Sequence, residues 1–222
     1  MVLNLIFLGA PGAGKGTVAQ AAVEHYKIVQ ISTGDLFREK AKENTAEGLR
    51  IKDLMENGQY IDDKTTVALL KSRLSKKDVN KGFILDGFPR TILQAEELDI
   101  LLKEINKELT VVINIDVTEQ RVVDRISHRI TCSQCKKIYN EIMEGMVPKV
   151  EGKCDIDGAP LIKRGDDNEK TVKERFKVYS EKTAPLIDYY SNKGLLISYD
   201  GNPPMEESVR TAFGIIDKYV GK

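Results

Sequence analysis

Short apolar runs alternate with amphipathic segments along most of this chain of 222 residues. The apolar runs are rich in β-branched residues, which is typical of strands buried on both faces. They cover residues 3–8, 27–32, 82–86, 109–116 and 194–199. Segments with helical periodicity lie between them, at 14–25, 34–42, 46–57, 63–75, 91–105, 118–128, 167–191 and 205–219.

Strands that alternate with helices predict an α/β fold, in which a five-stranded parallel sheet lies between two layers of helices. Two stretches depart from the alternation, residues 32–62 and residues 127–166. We interpret both as insertions into a core made of residues 1–31, 63–126 and 167–222. Ligands of such sheets bind beyond the carboxyl ends of the strands, which is where we expect the functional site.

The stretch GAPGAGKGT, at residues 9–17, has two glycines five positions apart, followed by Lys15. A glycine-rich turn from a strand into a helix presents backbone N–H groups to an anion, so this stretch predicts phosphate binding. Gly16 stands where most such loops place a magnesium-binding Ser or Thr, and the hydroxyl follows at Thr17. We expect Thr17 and Asp86 to hold magnesium through water, because this ion keeps several waters when phosphates also bind it.

Composition narrows the possible functions. Lys plus Arg and Asp plus Glu each number 34, so the net charge is zero and no broad basic field is available for nucleic acid. The apolar start reaches a glycine turn after eight residues, too soon for a secretory core or a membrane span. We therefore expect a cytoplasmic protein without nucleic-acid or membrane partners.

All three cysteines fall in one short span. Cys132 and Cys135 form CSQC, and after eighteen residues Cys154 opens CDID, which ends at Asp157. This is the spacing of two zinc knuckles with Asp157 in place of a fourth cysteine, and zinc accepts carboxylate as well as thiolate ligands. We predict a structural zinc site, the alternatives being reduced thiols or a disulfide with one cysteine left over. Two further side chains are candidates for the fourth ligand: Asp155 and His128.

Several motifs together resemble one family. GAPGAGKGT resembles the phosphate loop of nucleoside monophosphate kinases, and of adenylate kinases in particular. Five further motifs resemble adenylate kinases in the same order, namely STGDLFR (32–38), LDGFPRT (85–91) with Gln94, DRISHR (124–129), RGDD (164–167) and the helix of Arg175. The resemblance runs from residue 3 to about residue 190, and six ordered matches make it highly specific.

The resemblance implies Mg²⁺-dependent, reversible transfer of the terminal phosphoryl group of ATP to AMP, giving two ADP and maintaining the adenine nucleotide balance. It implies that residues 32–62 form an AMP-binding arm and residues 127–166 a zinc-bearing lid. Since the arginine set is then complete within one chain, we expect a monomer. Asp166 and Asp167 precede a helix, and we expect them to cap it and to order the lid hinge.

The resemblance also implies a role for individual residues. The catalytic cations would be Lys15, Arg90, Arg129, Arg164 and Arg175. ATP would be bound by Gly12, Ala13, Gly14, Lys15, Gly16, Thr17, Arg125, Arg129, Ile138 and Tyr139. AMP would be bound by Thr33, Arg38, Gln59, Tyr60, Ile61, Gly87, Phe88, Pro89, Arg90, Gln94, Arg164 and Arg175.

Six of the ten arginines lie inside these motifs, although the chain otherwise prefers lysine. The arginine side chain is a rigid fork of donors suited to a bidentate grip on phosphate. By resemblance, Arg38 and Arg90 would clamp the AMP phosphate, and Arg125 would lie against the ATP adenine. For any single arginine, a solvated surface ion pair is the commoner explanation.

Two alternatives stay open at this point. A related kinase would accept UMP, CMP or GMP, or use GTP as donor, since base choice depends on few contacts; the Gln94 amide, with a donor and an acceptor, suits a purine. A zinc-knuckle protein that binds nucleic acid would explain the cysteine spacing alone. The sequence also departs from the family: QYID (59–62) lacks the usual proline, and the segment between the knuckles is longer and lacks Asn-Pro-Pro.

Overall fold

The computed structural model describes residues 2–221, apart from the side chain of Glu169, so the end positions 1 and 222 of the predicted core lie outside the described residues. The strands are β1 Asn4–Leu8, β2 Val29–Ser32, β3 Phe83–Asp86, β4 Val111–Asp116, β5 Arg129–Cys132, β6 Ile138–Asn140, β7 Leu161–Ile162 and β8 Leu196–Asp200. The α-helices are α1 Lys15–Tyr26, α2 Thr33–Lys40, α3 Ala46–Glu56, α4 Asp63–Leu74, α5 Ile92–Glu104, α6 Glu119–Ser127, α7 Glu169–Val178, α8 Pro185–Asn192 and α9 Met205–Ile216.

The main sheet has five parallel strands in the order β2-β3-β1-β4-β8. The predicted five-stranded parallel sheet is therefore confirmed. Its register places Asp86, the last residue of β3, beside Phe7 of β1 and Ser32 of β2. The carboxyl ends of the three strands thus meet at one edge, where the chain also enters the glycine-rich loop.

Helices cover both faces of this sheet, which makes three layers. Along β1, Leu5 and Phe7 pack on one face with α1 and α9, whereas Ile6 and Leu8 pack on the other with α4, α5 and α8. This alternation follows from the pleat of a strand, and burial on both faces explains why the strand sequences are continuously apolar.

The helical pattern predicted over residues 167–191 is confirmed for most of its length, but it forms two α-helices joined by a π-helical turn. Helix α7 ends at Val178, a π-helical turn covers Tyr179–Thr183, and α8 starts at Pro185. Proline has no N–H to continue the ladder of the preceding helix but suits the first turn of a new one. Ala184 N–H instead bonds to Tyr179 C=O at 2.9 Å, five residues back, and this wide turn sets the position of Thr183.

Two stretches stand apart from the main sheet. In residues 32–62, α2 and α3 pack around Phe37, Ile51 and Ile61. In residues 127–166, β5 pairs antiparallel with β6 and β7, a three-stranded sheet that the sequence analysis did not predict. None of the described helices is both long and apolar enough to cross a membrane.

Candidate active site

The glycine-rich loop connects β1 to α1, and it folds as a strand-to-helix turn because glycine occupies its strained positions. Gly9 has φ of 140°, and a Cβ there would lie 2.5 Å from the carbonyl oxygen of Ile115. Helix α1 begins at Lys15 after Gly14, whose φ is 103°. The first-turn N–H groups of α1 therefore point toward the mouth of the site, with the positive end of the helix dipole.

Lys15 folds back over this loop. Its Nζ donates to the carbonyl oxygens of Gly9 and Ala10, at 2.7 and 2.8 Å. Burial lowers the pKa of Lys15, Asp86 opposes this shift and nearby arginines add to it, and the net pKa is about 8. The empty site thus disfavours the charged form of Lys15, and an anionic ligand would stabilise that form.

Five arginines converge on the cavity that the loop borders. Arg38 comes from α2, Arg90 from the turn after β3, Arg129 from β5, Arg164 from the segment after β7 and Arg175 from α7. The same cavity is lined by other residues singled out in the sequence: Gly12, Gly14, Lys15, Gly16, Thr17, Tyr60, Asp86, Gly87, Pro89, Arg125, Ile138 and Tyr139. The fold thus brings together five positively charged side chains from segments that are distant in sequence.

Carboxylates hold the arginines in place. Asp167, whose side chain is 1% exposed, pairs through both oxygens with Arg129. Asp166 pairs with Arg175 at 2.9 Å, and Asp35 with Arg38 at 2.6 Å. Burial alone would raise the pKa of Asp35 and Asp166, but the neighbouring arginines outweigh it and lower both.

The expectation that Asp166 and Asp167 cap the following helix is wrong. The cap of α7 is Asn168, whose side chain accepts from Thr171 N–H at 3.0 Å. The neutral amide of Asn168 caps the helix, so both carboxylates are available to the buried arginines. A hydrogen bond between two charged groups is stronger there than one between neutral groups.

Burial also lowers the pKa of Arg164 to about 10, with Arg129 and Arg38 contributing, so this side chain stays charged at neutral pH. Together with Lys15, Lys136 and Arg125, the five arginines make eight cations in the lining of the cavity. The carboxylates that oppose them are Asp35 and Asp86 in the lining, and Asp166 and Asp167, which pair with Arg175 and Arg129. The cavity therefore keeps an excess of positive charge, which is suited to binding polyphosphate.

Arg125 differs from the other five. It is 5% exposed, and its guanidinium donates to the carbonyl oxygens of Ala13, Gly201 and Pro203, at 2.9, 2.8 and 3.4 Å. It thereby joins the phosphate loop to the segment after β8. Its side chain borders the cavity, but the hydrogen bonds that it donates all go to backbone carbonyl oxygens.

Six predicted residues do not line the cavity: Ala13, Thr33, Gln59, Ile61, Phe88 and Gln94. Gln94 is 1% exposed, and its amide accepts from Arg90 N–H at 2.8 Å and donates to Asp63 at 2.7 Å. Thr33 donates to the carbonyl oxygen of Gly87 at 2.7 Å. In this structure, the two polar side chains support the turn that carries Arg90.

Several cavity residues escaped sequence reasoning, among them Gln20, Gln30, Asp35, Met143, Met146, Tyr179, Thr183 and Met205. Gln30 could have been found, because it is a polar residue within an otherwise apolar strand, and its Nε2 donates to Asp86 Oδ2 at 2.9 Å. Thr183 carried no signal, since its position depends on the π-helical turn.

The predicted metal ligands form one cluster. The ligand atoms of Cys132, Cys135, Cys154 and Asp157 all lie within 4.8 Å of one another, and the thiols are free of disulfides. Sγ of Cys135 is 3.6 Å from Sγ of Cys154, and Sγ of Cys132 is 3.3 Å from Oδ1 of Asp157. This group is able to hold a metal ion.

The other two candidates for the fourth ligand lie elsewhere. Asp155 Oδ1 accepts from Lys149 N–H at 2.9 Å, and His128 Nδ1 lies 3.6 Å from Glu141. The cysteines also contribute to the small core of this region, since Cys132 and Cys154 are two of the five buried residues that form it. A metal here would therefore brace a sheet that has few apolar contacts of its own.

Comparison with known proteins gives one consistent result. The family model described as adenylate kinase matches residues 7–195. The adenylate kinase of Archaeoglobus fulgidus is 48% identical over 216 residues, which cover 97% of this chain and 99% of the relative. That of Fervidobacterium nodosum is 48% identical over 220 residues (99% and 100%), and that of Thermosipho africanus 44% identical over 214 residues (96% and 99%).

Proposed function

Because the chain belongs to the adenylate kinase family, we propose that it catalyses the Mg²⁺-dependent, reversible transfer of the terminal phosphoryl group of ATP to AMP, giving two ADP. The observation that carries this proposal is the convergence of Lys15 and five arginines on one cavity beside the phosphate loop. Phosphoryl transfer asks a protein mainly for alignment and for compensation of charge, and this arrangement supplies both.

The residues would share the reaction as follows. The loop N–H groups and Lys15 hold the outer phosphates of ATP, and Arg38 and Arg90 hold the phosphate of AMP. Arg129, Arg164 and Arg175 surround the group in transfer. A terminal AMP oxygen is already anionic and attacks the phosphorus directly, so no protein nucleophile is required.

Residues 32–62 would then act as the AMP arm and residues 127–166 as the lid, each with its own small cluster of apolar residues. Closure of both over the core excludes water, so that phosphate passes to AMP instead of being hydrolysed. The core and residues 127–166 are in contact in this structure, since Nε2 of Gln20 in α1 donates to the carbonyl oxygen of Lys136 at 3.0 Å.

The residues at the loop fit a hydrated magnesium ion. A Cβ built on Gly16 would lie 3.5 Å from Asp86 Oδ2, so the carboxylate faces the position where other loops carry the metal-binding hydroxyl. Asp86 and Thr17 would hold the ion through its waters. An ion held there with ATP would offset phosphate charge.

The cysteine cluster fits zinc. Tetrahedral zinc with Zn–S bonds of about 2.3 Å requires sulfurs about 3.8 Å apart. The separation of 3.6 Å between Cys135 and Cys154 is close to that value. Cys132, Cys135, Cys154 and Asp157 would hold the ion, and four protein ligands make the site structural.

We further propose that the enzyme is a cytoplasmic monomer. Free thiols support a reducing compartment. The proposed catalytic side chains all come from one chain, which supports a monomer.

The test is a coupled assay of ADP formation from ATP with AMP, UMP, CMP or GMP as acceptor, with and without magnesium. We expect a strong preference for AMP that requires magnesium. Arg90→Ala should lower turnover by about a hundredfold or more, the scale for loss of one charge-stabilising donor. Arg210→Ala is the matched control, since this arginine is 78% exposed, and turnover should not change. Equal losses in both variants would contradict the proposed role of Arg90.

Preference for a pyrimidine acceptor would keep the mechanism and overturn the assignment of the acceptor. The nucleic-acid alternative predicts retention of labelled RNA at low salt, where electrostatic binding is strongest. We expect no retention, because the net charge of the chain is zero and offers no broad basic surface to a nucleic-acid backbone.

A further inference from the structure

Tyr60 lies between α3 and α4, near the end of the segment proposed as the AMP arm, and its side chain borders the active-site cavity. The centre of its ring is 4.9 Å from Cζ of Arg90. A guanidinium at this distance over an aromatic face is attracted by the ring quadrupole, more strongly when water is excluded. The ring therefore limits where the Arg90 guanidinium can lie.

The hydroxyl of Tyr60 makes a second contact with the same arginine, through Thr183. Tyr60 Oη is 2.9 Å from Thr183 Oγ1, which is 2.8 Å from the carbonyl oxygen of Arg90. A carbonyl only accepts, so the single hydroxyl proton of Thr183 goes to Arg90. Tyr60 must then be the donor to Thr183, and the direction of the whole chain is fixed.

The rest of Arg90 is held as closely. Its N–H donates to Gln94 Oε1 at 2.8 Å, and its Nε donates to the carbonyl oxygen of Gly87 at 2.8 Å. With Nε bonded and the backbone fixed at both N–H and C=O, the terminal nitrogens are the part of Arg90 left to meet a phosphate. Tyr60 is the member of this set that belongs to the proposed AMP arm.

We propose that Tyr60 is a positioning residue for AMP: by stacking on Arg90 and donating through Thr183, it presents the Arg90 fork to the AMP phosphate only when the arm is in place. The proposal rests on the proposed function. It explains why the π-helical turn matters, since that turn places Thr183 between two segments distant in sequence. It also predicts that the effect falls on AMP and not on ATP.

The experiment measures kcat and the KM of each nucleotide, with direct AMP binding by calorimetry. Tyr60→Phe and Thr183→Val each break the same hydrogen-bond chain, so each should raise the KM of AMP about three- to tenfold, and the double variant no further. Tyr60→Leu also removes the ring and should raise it about ten- to thirtyfold. Thr183→Ser, which keeps the hydroxyl, should restore AMP binding.

Tyr26→Phe is the matched control, because its hydroxyl bonds to Asp217 at 2.8 Å and lies outside the cavity lining. It should leave both KM values unchanged. If wild type forms no ADP from AMP, the proposed function fails. If wild type is active but the folded Tyr60 variants bind AMP within twofold of it, or lose AMP and ATP affinity alike, the positioning role fails. Additive losses in the double variant would refute the hydrogen-bond chain.

Discussion

The lowered pKa of Lys15 predicts that ATP binding takes up a proton at mildly alkaline pH. In the free protein, burial lowers the pKa of this lysine to about 8, so its ammonium is largely lost by pH 9. A bound triphosphate places negative charge beside the amine and should raise its pKa back toward the ordinary value of lysine. Protonation and ATP binding are then coupled.

The magnitude follows from the pKa. With a value of about 8, roughly nine in ten Lys15 side chains are charged at pH 7 and roughly one in ten at pH 9. The Kd of ATP should therefore rise about tenfold over this interval, or about 1.4 kcal/mol. At pH 8.5, each ATP bound should take up about three quarters of a proton.

The titration of Lys15 affects folding of the free protein in the opposite direction from ATP binding. Because the folded-state pKa of Lys15 lies below its usual value, the unfolded chain binds the extra proton between about pH 8 and 10.5. The contribution of this group to stability therefore rises with pH in that window. Nucleotide binding weakens over the same range in which the empty site becomes more stable.

Calorimetry with MgATP and no acceptor, repeated in buffers of different ionisation enthalpy, measures the proton uptake. The window from pH 7.5 to 9.5 lies above the last phosphate ionisation, near 6, so that ATP itself contributes little. Lys15→Arg is the control, since a guanidinium stays charged at pH 8.5, and its uptake at that pH should vanish. Uptake below about 0.2 proton in wild type at pH 8.5, or the same uptake in both proteins, would refute the reasoning.

Three further results are expected. Asp157→Ala should abolish stoichiometric metal by elemental analysis and lower the midpoint of thermal unfolding by several degrees, whereas Asp155→Ala should retain the metal. Gly214→Ala should raise the free energy of unfolding by about 0.5–1 kcal/mol in urea titrations, because this exposed helical glycine has open space around it. Asp167→Asn should cost about 3 kcal/mol in the same titrations by leaving a buried arginine unpaired, and Asp78→Asn, which breaks an ion pair at an exposed carboxylate, should cost much less. Equal costs for the two Asn variants, or metal loss in both Ala variants, would contradict these assignments.

Local patterns accounted for the parts of the molecule that depend on neighbours in sequence. Continuous apolar runs predicted the parallel sheet, and the order of strand, glycines and Lys15 predicted the loop, because a strand-to-helix turn is built from adjacent residues. The cysteine spacing likewise placed Asp157, and not Asp155, beside the three thiols. A turn fixes the separation of its own residues, so spacing alone was sufficient there.

Contacts between residues distant in sequence could not be predicted, because local spacing fixes only the positions of sequence neighbours. No spacing announces that Asp167 will hold Arg129, or that Asn168 will cap the helix instead. Gln94 shows the limit most clearly: its amide suits a purine edge by chemistry, yet in the structure both of its polar atoms bond within the protein. A side chain able to make two hydrogen bonds gives no indication in sequence of which partners it meets.

The charges of the cavity explain why closure and nucleotide binding should be one event. Lys15, Arg90, Arg129 and Arg175 lie close enough for each arginine to lower the pKa of the lysine, although they come from separate segments. If residues 127–166 close as the proposed lid, bringing Arg129 onto the core costs electrostatic work, which Asp167 and Asp166 offset only in part. Phosphates of ATP and AMP supply the missing negative charge at the point where the cations converge. The closed arrangement is thus stabilised most when both nucleotides are bound, which is when exclusion of water serves transfer to AMP.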